Sequence, residues 1–147
     1  MCSAANNCDL FRGHNGVEPK LLIVDDNSML RETTRGILES NFPMMRIFEA
    51  EDGKEALEQV RDHLPDLILM DIRLPGDNGI ILTRKIKVLH PEIVIIIFTN
   101  YDQKEYRDAA LKNGADHFFP KASPSREKLS KMIESILDDI GLNRDND

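Results

Sequence analysis

The stretch LLIVDDNS, Leu21 to Ser28, runs from four apolar residues straight into two adjacent aspartates. An unbroken apolar run of this length fits a strand buried on both faces, the habit of a parallel sheet covered by helices. The aspartates that end it pose a second question. Crowding like charges beside a core is costly unless something pairs with them.

Four further segments repeat the pattern: RIFEA (46–50), DLILMD (66–71), EIVIIIFT (92–99) and HFFPK (117–121). Helical spacing fills the gaps. It is carried by Leu30, Thr34, Ile37 and Leu38; by Ala56, Leu57, Val60 and Leu64; by Leu82, Ile86 and Leu89; and by Tyr106, Ala109 and Ala110. Leu129, Met132, Ile133, Ile136, Leu137 and Ile140 form the clearest stripe, with Ser123 and Pro124 suited to its N-cap and first helical position. Five strands, each followed by a helix, predict an α/β fold. Right-handed crossovers make it a three-layer αβα, open, doubly wound parallel five-stranded sheet, flavodoxin-like (βα)5.

The 147 residues suit one domain, expected over 19–140 between a flexible N-terminal arm (1–18) and a polar C-terminal tail (141–147). No apolar run approaches the ~18 residues needed to cross a bilayer, which predicts a soluble protein with no membrane partner. A formal net charge of -7 opposes direct nucleic-acid binding. The short basic cluster Arg84, Lys85 and Lys87 reads as a solvated helix face. Cys2 and Cys8 are too few for a zinc cage and too far apart for a redox pair, and the N-terminus lacks signal-peptide features. A cytoplasmic location is the simplest expectation.

In open α/β sheets the ligand site lies outside the carboxyl ends of the strands. Here those ends carry Asp25 and Asp26, Asp71, Thr99 and Lys121. Each has a plain explanation alone: a helix cap, a turn residue, a surface charge. Their joint placement argues for a site. Each close carboxylate pair costs on the order of 4 kcal/mol at an effective dielectric near 20, a penalty that a divalent cation removes. All-oxygen ligands favour Mg2+, with Mn2+ as the variant, over zinc, and Mg2+ implies a phosphate partner. Asp71 suits the nucleophile of an aspartyl phosphate, since the adjacent Asp25 and Asp26 suit the metal. Lys121 would neutralise a carboxylate or a phosphoryl oxygen, and Thr99 would donate to one.

Residues 20 to about 140 resemble the receiver domain of two-component response regulators. The resemblance rests on IVDD, on DIRLPGDNG with Asp71, Pro75 and Gly79, on Thr99, and on HFFPK with Phe118 and Lys121. It implies that Asp71 accepts a phosphoryl group from a sensor histidine kinase or histidine phosphotransfer protein. Asp25, Asp26, Asp71 and the backbone carbonyl of Arg73 would hold Mg2+. Thr99 and Phe118 would form a coupled switch that reshapes the fourth helix, fifth strand and fifth helix, where a downstream protein or a second copy on phosphorylation would dock. Ordinary core packing is the other reading of Phe118. His117 reads as an outward-facing strand residue, and His63 and His90 as helix-end residues.

Three departures stand out. Ala122 follows Lys121 where the family commonly has Pro, and a cis bond there would cost about 3 kcal/mol, so trans is expected. Some relatives with a C-terminal helix-turn-helix output domain also lack that Pro. Asn100 is larger than the usual residue after the Thr, and could narrow access to Asp71 and slow its chemistry. The sequence also stops about seven residues past the last helix, as a stand-alone receiver or the receiver fragment of a longer DNA-binding regulator would.

Other classes fit less well. A Mg2+-dependent phosphatase or phosphotransferase would need a second acid/base and a lid, so the chain is expected to catalyse only its own phosphorylation and dephosphorylation. A flavin or nucleotide binder would need a Gly-rich loop where DDNSML stands. Signalling by constitutive dimerisation alone would leave Asp71, Thr99 and Lys121 without purpose.

Overall fold

Each apolar run becomes a strand, and each stretch of helical spacing the helix that returns the chain across the sheet. In the computed structural model, which describes residues 18–121 and 126–141, the elements follow as β1 (Lys20–Val24), α1 (Ser28–Asn41), β2 (Arg46–Ala50), α2 (Gly53–His63), β3 (Leu67–Met70), α3 (Gly79–Leu89), β4 (Val94–Thr99), α4 (Lys104–Lys112), β5 (His117–Pro120) and α5 (Arg126–Asp139). The arm and cysteines, the Lys121–Ala122 peptide, the Ser123–Pro124 cap and the tail from Leu142 lie outside the described residues.

The five strands are all parallel, in the order β2-β1-β3-β4-β5. Strand residues alternate between two cores. Leu22, Val24, Ile68, Met70, Ile95 and Ile97 face α2, α3 and α4, where Ala56, Val60, Leu82, Ile86 and Ala110 meet them. Leu21, Ile23, Leu67, Leu69 and Ile96 face α1 and α5, where Leu38, Leu129, Ile133 and Leu137 close the other side. Both faces of the central strands are thereby dry, which is why their sequences are apolar without alternation. Pro120, which has no N–H to give, is tolerated because β5 is an edge strand.

Helix starts are set by side chains that satisfy orphan amides. Asn27 accepts from Leu30 N–H, Asp52 from Glu55 N–H, and Asn78 from both Ile80 and Ile81 N–H. Asn27, and neither Asp25 nor Asp26, caps α1, which leaves both carboxylates to the strand end.

Three predicted stripe residues are exposed instead: Leu64 (51%), Leu89 (71%) and Ile140 (38%). All lie at or just past the last turn of their helix, where the chain leaves the sheet surface. Leu64 also turns left-handed, with φ 48°, as it ends α2. Lys87 departs from the solvated-face reading of its cluster. Its Nζ donates to the Ile93 carbonyl at 2.7 Å and pairs with Asp116 at 2.7 Å, pinning α3 to the sheet. His63 stacks on Phe48 with ring centroids 4.1 Å apart, and His117 is exposed as expected.

Candidate functional site

Register brings the acidic residues together. Val24 of β1 pairs with Met70 of β3, so Asp25 and Asp71 leave the same sheet edge side by side. Asp71 N–H donates to the Val24 carbonyl and Asp25 N–H to the Ala50 carbonyl, each at 3.0 Å. Both aspartates are buried, whereas Asp26, next along the turn, is exposed. One oxygen from each of the three carboxylates lies within 4.8 Å of the others.

Lys121 supplies the charge that makes this tolerable. Its Nζ donates to Oδ2 of Asp71 at 3.0 Å and to Oδ2 of Asp25. The ammonium is itself buried, and the backbone N–H of Lys121, donating to the Thr99 carbonyl at 2.8 Å, ties the end of β5 to β4. The second oxygens are held by main chain: Asp25 Oδ1 accepts from Asn27 N–H at 2.9 Å and Asp71 Oδ1 from Ile72 N–H at 2.8 Å.

Thr99 closes β4 with no exposed surface, its Oγ accepting from Tyr101 N–H at 3.2 Å. It stands two residues beyond Ile97, the partner of Met70, and so on the edge that carries Asp71. Phe118 pairs with Ile97 in β5, packs half-buried on the core, and lies 5.2 Å from the Arg107 guanidinium of α4. Arg73 is exposed, with its guanidinium 4.5 Å from the Tyr101 ring centroid, and Asn100 is exposed between Thr99 and Tyr101.

Two further residues support the site: Gly79, already marked by the DIRLPGDNG motif, and Arg31, which no local pattern marks. Gly79 opens α3 against the strand end: an added Cβ would stand 1.9 Å from the Asp71 carbonyl oxygen. Arg31, from the first turn of α1, donates through Nη1 to the Asp25 carbonyl at 2.6 Å and through Nε to Glu49 at 2.8 Å. Burial pushes the Glu49 carboxyl up, but bonds from Arg31 and Arg35 outweigh it and hold Glu49 below the usual carboxylate range.

The comparisons with known proteins agree with this geometry. Residues 21–134 match the response regulator receiver domain family, and the chain belongs to it. Accepting a phosphoryl group from a histidine kinase or phosphotransfer protein is the general property of such domains, as is binding Mg2+ at an acidic cluster. The three carboxylates, hard donors within reach of one another, fit that ion.

Among curated relatives, the oxygen regulatory protein NreC of Staphylococcus haemolyticus is 38% identical over 111 residues, 75% of this chain and 51% of that protein. The chain thus spans about half the length of the curated relatives it matches. Among solved structures, a CheY-like receiver domain protein from Methanospirillum hungatei is 29% identical with a TM-score of 0.77, over 84% of this chain and 96% of that one. A LuxR-family response regulator from Aurantimonas is 33% identical with a TM-score of 0.75, over 82% and 86%. No helix among the described residues is long and apolar enough to cross a membrane.

Proposed function

We propose that Asp71 is the phosphoacceptor of a signalling switch. The observation that carries this is the arrangement around it: a buried carboxylate, bonded to a buried ammonium at 3.0 Å, beside two more carboxylates within 4.8 Å. In the transfer, an Asp71 oxygen forms a bond to phosphorus as the P–N bond of a phosphohistidine donor breaks. The imidazole leaves with the electron pair and takes up a proton. Lys121 shifts from the carboxylates toward the incoming phosphoryl oxygens, and the Thr99 hydroxyl turns its proton to one of them. Asp25, Asp26, Asp71 and the Arg73 carbonyl would hold Mg2+, which when bound neutralises charge on the phosphoryl group.

Recruiting Thr99 draws its hydroxyl from Tyr101 N–H and opens room at the end of β4 that Phe118 fills. Because Phe118 lies against Arg107, that movement alters α4, β5 and α5, the surface proposed for a downstream protein or a second copy. On this reading the chain catalyses only its own phosphorylation and dephosphorylation.

That this receiver works within a longer transcriptional regulator is supported by the relatives' length, of which the match covers 51%. The switch is tested by incubation with Mg2+ and acetyl phosphate. A mass gain of one phosphoryl group, lost in Asp71→Asn, is expected; the same gain in that variant would overturn the assignment.

A further inference from the structure

We infer that Arg31 is a positioning residue for the cation pocket, acting through the main chain of Asp25. The inference rests on the pocket being the Mg2+ site. The carboxylates of Asp25 and Asp71 are each fixed at both oxygens, by Lys121 and by a backbone N–H. Asp26 is exposed and takes its place from the chain that carries it. The peptide joining it to Asp25 is planar, so the direction of the Asp25 carbonyl sets the direction in which Asp26 departs. Arg31 Nη1 holds that carbonyl at 2.6 Å.

The guanidinium is well placed for this. Its side chain is 14% exposed, and its Nε is anchored at 2.8 Å on Glu49 of the neighbouring strand β2. Glu49 is braced in turn by Arg35 at 2.7 Å. A rigid fork spanning two acceptors suits Arg and is not reproduced by Lys. Glu49 has a second effect: a bare guanidinium behind a cation pocket would repel the ion, and the carboxylate offsets that charge.

Charge and position therefore predict opposite signs. If Arg31 acted on the pocket by charge alone, Arg31→Ala would tighten Mg2+ binding. If it positions Asp26, the same change weakens binding, by about tenfold or more, as when partners behind metal ligands are removed.

The test is a MgCl2 titration of the full chain followed by the backbone amide signals of Asp26 and Ile72, alongside thermal unfolding. Asp26→Asn should abolish the response seen in the unaltered chain. Arg31→Ala should weaken it, Arg31→Lys and Glu49→Gln should weaken it less, and Arg35→Ala should leave it within about threefold, as an outer ion pair warrants. Should Arg31→Ala not fold, Arg31→Lys decides: it keeps the charge and loses the fork, so only the positional role predicts weaker binding. Unchanged or tighter Mg2+ binding in the Arg31 variants, with Asp26→Asn inert, overturns the role of Arg31 alone. An Asp26→Asn chain that titrates like the unaltered one overturns the pocket and the inference together.

Discussion

Lys121 Nζ lies 3.0 Å from Oδ2 of Asp71, and the same ammonium also holds Asp25, so one cation from the edge strand β5 balances two buried carboxylates from the sheet centre. Lys121 and Asp71 have side chains only 8% and 10% exposed. Removing the lysine strands charge inside the protein. Lys121→Met should lower stability in metal-free buffer by roughly 2 kcal/mol or more, given that breaking a buried pair costs about 3–5 kcal/mol. Denaturant unfolding with and without MgCl2 checks this: Mg2+ should stabilise the variant more than the unaltered chain. Equal stabilisation would count against charge compensation.

Gly79 makes a second prediction, from space rather than charge. A Cβ there would stand 1.9 Å from the Asp71 carbonyl oxygen and 2.9 Å from Met70 Cγ, so backbone must move. Gly79→Ala should cost at least the ~1–3 kcal/mol of overpacking and displace the loop after Asp71. Gly36, mid-helix in α1, meets nothing within 4 Å, so Gly36→Ala should stabilise by roughly 0.5–1 kcal/mol. Thermal midpoints of the two variants should move in opposite directions.

Acid titration should reveal Glu49. Despite desolvation, its bonds to Arg31 and Arg35 hold its folded-state carboxyl below the ordinary 4.5. Its contribution is present above 4.5 and is lost as pH falls through the folded value. Glu49→Gln should thus be less stable near neutrality, by on the order of 1 kcal/mol or less after solvent screening, and the gap should close in acid. Asp66 acts with the opposite sign. Burial raises its carboxyl above the ordinary 3.8, against a bond from Lys20 N–H, so the stability it favours at low pH is lost as pH rises through its folded value. A Glu49→Gln gap that stays constant well below 4.5 would contradict the first assignment.

Asn100 bears on access. It is exposed beside fully buried Thr99, at the edge where Asp71 emerges. Asn100→Ala should speed labelling by acetyl phosphate severalfold, and an unchanged rate would remove Asn100 from the list of obstacles.

Most of the fold was legible because its central strands are buried on both faces. RIFEA matches β2 residue for residue, and the other predicted strands differ only at their ends. Ends were the weak point for helices too, since Leu64, Leu89 and Ile140 keep the period after the chain has left the sheet. At the site, strand-terminal Asp25, Asp71, Thr99 and Lys121 stood out because an apolar run leads into each. Arg31 did not, and Gly79 stood out only as part of the DIRLPGDNG motif, without the reason for it. The partners of Arg31 lie on β2 and at the end of β1, and the need for glycine at 79 comes from a carbonyl eight residues away that only the folded chain brings close.

The central claim is that the phosphoryl group sits on the Asp71 carboxylate. After phosphorylation by a phosphohistidine donor in Mg2+, borohydride reduces an acyl phosphate to the alcohol and leaves homoserine at the labelled position. Peptide mass spectrometry should find homoserine at position 71 and aspartate at 25 and 26. Homoserine at 25 or 26, or label retained with Asp71 intact, would contradict the account.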